Sequence, residues 1–341
     1  MTAHTKTDTS MDVQQRRRPA ATPSPIRSYL AVRGGGRAGD RIFGGLVLAS
    51  ALSMLAIVGT ILRVLTANSQ LSQHAFGLAF FVRDAWNPVL GDFGALPFIF
   101  GTLVTSFLAL LMAVPLALCV SVFLLEICPQ SLRAPVAFLT ELLAAIPSVV
   151  YGLWAIFVLV PFVRDRLGPA LVHAFGWTGL FSGPNFGEGI LTASIVLSIM
   201  ILPVISSITR EVMSAVPVSQ KEAALALGAT RWEMVRMAVL RNARIGIVGG
   251  VILGLGRALG ETMAVTMVIG NNPQISRSLF TPGYTLASVL ANEFSEATND
   301  LYLSALIEIG LALFLVTILV NTVARLLVWA VTRGQPSQAR A

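Results

Sequence analysis

Six long apolar runs decide what this chain can fold into. They cover residues 42–65, 97–125, 134–163, 190–209, 245–270 and 302–331. Each reaches the roughly 20 residues that a helix needs to cross a bilayer. No water reaches the backbone inside lipid, so a spanning segment must close its own hydrogen bonds as a helix. The expected fold class is therefore an all-α polytopic membrane protein with six transmembrane helices over 42–331. Composition agrees: 55% of residues are hydrophobic and 12% charged, against about 25% charged in a soluble protein.

The distribution of Arg and Lys predicts the orientation. With both termini inside, the outer loops keep Arg83, Arg164, Arg166 and Arg277 out of 24 basic residues, as the positive-inside bias requires. Residues 1–41 are polar and carry Arg16-Arg17-Arg18. They read as a disordered, basic, cytosolic tail rather than a secretory signal. Beside a span, the basic run is explained by topology and needs no nucleic acid. Residues 332–341 form a second cytosolic tail.

Several functions are excluded. Lysine occurs at Lys6 and Lys221, and neither follows a glycine, so the chain lacks a Walker A phosphate loop. Cys119 and Cys128 are expected as free thiols, and no metal spacing is present. His4, His74 and His173 are isolated in sequence. An intramembrane enzyme would need a Ser–His pair, paired aspartates or HExxH, and none occurs. No catalytic residue, metal or bound cofactor is expected.

Two stretches carry the functional signal. The first lies within a cytosolic segment, 210–244. Ser219 and Glu222, and again Thr230 and Glu233, are spaced as capping boxes that satisfy the free amides of a helix start. Gly228 lies between them, where a left-handed C-terminal cap belongs. The pattern predicts a short helix, a glycine turn and a second helix beginning near Arg231. Trp232, Val235 and Val239 would share one face of that helix. Capping alone is equally consistent with a plain surface hairpin.

The second stretch is the fifth run. Arg257 sits near its centre, about 18 Å from either end at 1.5 Å per residue. Glu261, four residues on, would share its face and pair with it. Gly246, Gly250 and Gly254 recur every four residues, which lets helices approach closely. The pair has two readings. Arg257 attracts an anion crossing the membrane while Glu261 neutralises and orients it, or the two form a structural bridge. Pro115, Pro147 and Pro203 fall inside expected spans and predict kinks or hinges. Glu308 in the last run faces either a lumen or a neighbouring helix.

These residues resemble known families. Glu222-Ala223-Ala224, followed after three residues by Gly228, is similar to the EAA loop of ABC importer permeases. The family pattern continues with Ile and then Leu-Pro. Here Ala238 takes the Ile place, Leu240 matches, and Arg241 replaces the Pro. Gly254-Leu255-Gly256-Arg257-Ala258-Leu259-Gly260-Glu261-Thr262-Met263-Ala264-Val265 resembles the permeases of Pst-type phosphate importers, in their PstC branch. So do the stretch 142–154 (LLAAIPSVVYGLW), Met200-Ile201-Leu202-Pro203 and Arg210-Glu211. The likeness runs from about Leu96 to Arg325.

The resemblance implies a type I ABC importer permease (MetI-like) fold in the cytoplasmic membrane of a bacterium. It implies an ATP-driven importer of inorganic phosphate, in which Glu222, Ala223, Ala224 and Gly228 dock the ATPase. The implied partners are a homologous PstA-like permease, a PstB-like ATPase dimer that binds the ATP and Mg, and an extracytoplasmic PstS-like phosphate-binding protein, all in membrane lipid. Two alternatives stay open: a permease for another oxyanion such as sulfate or molybdate, and a secondary anion transporter with Glu261 as its proton carrier.

Overall fold

The computed structural model describes residues 36–332. Both outer tails, 1–35 and 333–341, lie outside the described residues. Among those described, six helices are long and apolar enough to cross a membrane, and no strand occurs beyond one isolated bridge, Asn87 to Asp92.

Helix α1 is Gly36–Asn68, so it takes in the last six residues of the expected tail, 36–41. Its residues up to Ile61 form a unit of their own. It is apolar all round and its spanning window is unburied, as expected of a helix facing lipid or another chain.

The second unit, from Leu62 on, is built around one central helix. In chain order it contains α2 (Gln70–Phe76), α3 (Leu96–Ile127), α4 (Gln130–Ala145) and α5 (Ser148–Thr178). Then come α6 (Ile190–Ser214), α7 (Val218–Ala226), α8 (Arg231–Leu259) and α9 (Met263–Thr266). It closes with α10 (Leu286–Glu293) and α11 (Asp300–Thr332).

Helix α6 is the centre, and small residues bring its neighbours close. On α3, Gly101, Thr105, Ala109, Ala113, Ala117 and Ser121 are buried at intervals of four. Ser121 Oγ donates across to Ser206 O of α6 at 3.0 Å. On α8, a Cβ at Gly246 would overlap Val212 of α6. One at Gly250 would lie 3.2 Å from Ile208 Cγ2, and one at Gly254 2.7 Å from Ile205 Cγ1. The glycine stripe thus buries against protein, as its spacing predicted. Gly249 and Gly256, off the stripe, face open space.

Two expected spans are redrawn. The third was expected over 134–163 with Pro147 inside it. Instead α4 ends at Ala145, Ile146 is extended at ψ 128, and Pro147 caps the start of α5. Proline disfavours the α conformation at the residue before it. Tyr151 Oη donates to Leu143 O at 2.7 Å and satisfies a carbonyl that the break frees. The fifth was expected over 245–270. Instead α8 continues the hairpin helix from Arg231 without interruption and stops at Leu259; Gly260, Glu261 and Thr262 are non-helical before α9. Pro115 and Pro203 do sit inside helices.

The end of α6 opposite the hairpin is closed by loops. Ile190 N and Leu191 N, which a helix start leaves unpaired, donate to Thr281 O and Leu279 O. In a separate cluster, at the starts of α3 and α11, Phe80, Phe93, Phe98, Tyr284 and Tyr302 are buried together. Glu293 Oε2 accepts from Trp86 Nε1 at 2.8 Å and from Tyr302 Oη at 2.7 Å. Burial, with Glu293 and Glu296 nearby and against a hydrogen bond from Asn292, pushes the Tyr284 phenol up. The aromatic content of 67–96 thus packs as a cap on the helix ends.

The glycine seam makes a signed prediction. Gly246→Ala should destabilise the detergent-purified chain by about 1–3 kcal/mol through overpacking against Val212. Gly249→Ala, in open space, should stabilise it by up to about 1 kcal/mol through helix propensity. Denaturant titration measures both, and shifts of the same sign would contradict the seam.

Candidate functional site

The hairpin is built by local signals. α7 follows Pro217, whose φ of −57° and ψ of 136° place it as the N-cap, with no side-chain cap bond. The capping box expected at Ser219 and Glu222 is therefore not formed. Proline is already set for the helix start, so Ser219 falls inside the first turn, where its hydroxyl is too late to cap. Gly228 has φ +85°. Gly228 N donates to Leu225 O at 3.0 Å and Ala229 N to Ala224 O at 3.2 Å, a Schellman closure. The second box is present: Thr230 N donates to Glu233 Oε2 at 2.8 Å, and Glu233 N to Thr230 Oγ1 at 3.3 Å.

Met234, Val235, Ala238 and Val239 then bury against Met213, Val216 and Ile247, with Ala224 packed alongside. Trp232, expected on this face, is instead 64% exposed, because the buried face begins at Met234 in the next turn. Arg241, in the place of the family's proline, lets α8 run on unbroken to Leu259. Glu222, Ala223 and Gly228 are exposed, and Leu227 at the tip is 90% exposed. Val218, Leu225 and Trp232 are also exposed apolar residues. A rigid hairpin seated on the helix ends thus presents an apolar tip beside one carboxylate.

The second candidate site lies at the break in α8. Arg257, three residues past Gly254, is exposed in the last turn of the helix, where a cation is favoured by the helix dipole. Glu261 is half-buried in the non-helical segment. No ion pair joins them; the pairs among the described residues are Arg83–Asp92, Arg164–Asp165, Arg210–Glu141 and Lys221–Glu126. The expected pairing needs an unbroken helix, and α8 ends between the two residues.

At Gly152 of α5 a Cβ would lie 3.2 Å from Ala264 Cα of α9, so the two interrupted helices meet here. Beside the break, Gly260 and Thr262 border a groove of about 470 Å³ whose other walls are apolar, from Leu290, Phe294, Leu306 and Gly310 among others. Neither charge lines that groove. The arrangement places one accessible cation at the end of α8 and one half-buried carboxylate in the non-helical segment that follows.

Glu308 faces a helix and not a lumen. It is buried in α11, which packs on α2, and Glu308 Oε2 and Ser72 Oγ are each buried without a hydrogen-bond partner. Sequence reasoning missed the ties that hold α7 from below, Glu126 to Lys221 and Asn242 to Gln220. Residues so distant in sequence leave no local signal.

Thr230→Ala should speed hydrogen exchange in the second hairpin helix roughly fivefold, the loss of an ordinary N-cap. Ser219→Ala should leave exchange unchanged. Equal effects would contradict the assignment of the caps.

The family described as "Binding-protein-dependent transport system inner membrane component" matches residues 95–334. The "Phosphate transport system permease protein PstC" of Mesorhizobium japonicum is 48% identical over 290 residues, covering 84% of this chain and 89% of that protein. The protein of the same name from Pasteurella multocida is 45% identical over 289 residues, covering 84% and 90%. Among solved structures, a chain of the MetNI methionine ABC transporter in an inward-facing conformation superposes with TM-score 0.53 at 20% identity, over 69% of this chain and 95% of that one. The chain belongs to the family of binding-protein-dependent transport system inner membrane components and has the type I ABC importer permease fold.

Proposed function

We propose that this chain is the transmembrane permease subunit of an ATP-driven inorganic phosphate importer. The observation that carries the reading is the family match together with relatives, near half identical over almost their whole length, that bear the name of phosphate permease. The exposed hairpin tip adds to it, because a secondary carrier needs no such docking element. Both termini and the hairpin lie on the cytosolic side in this reading, consistent with the Arg and Lys distribution.

The mechanism is alternating access. A separate ATPase dimer, carrying ATP and Mg, holds the hairpin through Glu222, Ala223, Ala224 and Gly228. Closure of that dimer pushes on α7 and α8 together, because Gly228 and the Thr230 cap make the hairpin one body. The motion reaches α6 through the glycine seam. Arg257 and Glu261 lie on the path, which this chain forms with a homologous permease. The exposed cation attracts the phosphate anion at the break, and the nearby carboxylate keeps the attraction weak enough for release. A binding protein delivers phosphate from outside. The permease makes and breaks no bond.

Membrane vesicles holding the assembled importer test this reading. Glu222→Lys or Gly228→Val should abolish ATP-dependent phosphate uptake and reduce the ATPase recovered with the permease, since Gly228 needs φ +85° and valine cannot adopt it cheaply. Normal uptake in both variants would remove the docking role. Arg257→Gln should lower uptake by at least about tenfold, the scale of one lost charge-assisted contact, with assembly intact. Failed assembly would make Arg257 structural instead.

A further inference from the structure

The hairpin that the proposed function assigns to the ATPase is fastened to the membrane helices at two adjacent side chains. Lys221 Nζ of α7 lies 2.6 Å from Glu126 Oε1 at the end of α3. Both side chains are largely shielded, at 21% and 12% exposure. One residue earlier, Gln220 Oε1 accepts from Asn242 Nδ2 of α8 at 2.6 Å, and the same amide donates to Ala238 O at 2.7 Å. A displacement of α7 therefore acts on two separate spans.

The Glu126 end is built to pass that displacement on. Phe123–Ile127 is a wide π turn, a local loosening of the helix ladder. Cys128 N closes it on Phe123 O at 2.8 Å, and Arg133 Nη2 of α4 donates to Leu125 O at 2.8 Å. The turn thus holds α3 and α4 together where Lys221 grips it. Beyond the turn, α3 packs along α6 by its small-residue stripe. A shielded ion pair resists separation far more than an exposed one, because losing either partner strands a charge that water reaches poorly. Glu126 lies near the end of its span, where a surface carboxylate would be expected to reach water, yet it turns inward to Lys221.

We propose that the Lys221–Glu126 ion pair is a coupling link of the importer: Lys221 and Glu126 are positioning residues that transmit movement of the docked hairpin to α3, in parallel with the covalent route from the hairpin into α8. The proposal rests on the reading of the hairpin as the ATPase-docking element. It assigns to Lys221 a role distinct from that of its neighbour Glu222, which is exposed.

The test uses the complete importer, with its ATPase and binding protein, reconstituted in liposomes. Phosphate imported per ATP hydrolysed is measured for the wild type, Lys221→Met, Glu126→Gln, Lys221→Arg and the exchange Glu126→Lys with Lys221→Glu. The two neutral variants should retain the ATPase on purification and hydrolyse ATP within about twofold of wild type, while import per ATP falls about tenfold, within the usual range of coupling factors. Lys221→Arg and the charge exchange should recover most of the ratio. An unchanged ratio in the neutral variants, or loss of ATPase retention in step with import, would overturn the link. If the neutral variants do not fold, a charge exchange that folds with the ratio still lost would overturn it equally. Wild-type liposomes that import another anion would overturn the substrate reading alone, and the ratio would then be read with that anion.

Discussion

The close approach of α3 and α8 to α6 is the constraint on which the second unit depends. In lipid, apolar side chains gain little by leaving one hydrocarbon surface for another, so helices associate through dense packing and backbone proximity. The seam Gly246–Gly250–Gly254 against Val212, Ile208 and Ile205 supplies that proximity on one side. The stripe ending in Ala117 and Ser121 supplies it on the other. By filling the small-residue faces of α3 and α8, α6 joins two spans into one block. Its ends are then the places where loops can be attached: carbonyls of Leu279 and Thr281 at one, the hairpin core of Met213 and Val216 at the other.

Interruptions matter as much as seams. Pro147 separates α4 from α5, and Gly260 ends α8. The first turns beyond the two breaks meet where Gly152 touches α9. Broken helices inside a membrane are tolerated where protein or a water-filled path surrounds them. Arg257 and Glu261 stand at one of these breaks, each free of an ion pair with the other. In the functional reading this freedom is what an anion needs, since a closed Arg–Glu bridge would have to open before any substrate could bind. The shielded Lys221–Glu126 pair is the contrasting case, a link that holds rather than a site that exchanges.

Much of this was legible in the residues. Apolar run lengths located the six spans because lipid imposes a minimum length on any helix that crosses it. Gly228, Thr230 and Glu233 announced the hairpin because their conformations and hydrogen bonds are settled within four or five residues. The four-residue glycine spacing announced a buried seam, though not that α6 would fill it. The misses have equally local causes. Pro147 was read as a kink, but the proline redirected Ile146 and ended the helix. Ser219 was read as a cap, but Pro217 had already taken that position. The Arg257–Glu261 pair assumed helix through Gly260, a residue whose weak helical preference ended α8 one step earlier. Glu308 against Ser72, and Glu126 against Lys221, join residues far apart in the chain, and no local pattern foretells such contacts.

The central claim is that this chain forms part of the membrane path for phosphate. Labelled phosphate uptake at micromolar concentration, in cells with and without this chain and lacking any other phosphate importer, with excess sulfate as competitor, tests it most directly. The account predicts that removing the chain abolishes an ATP-dependent uptake that sulfate does not inhibit. Phosphate uptake that persists unchanged without the chain would contradict it.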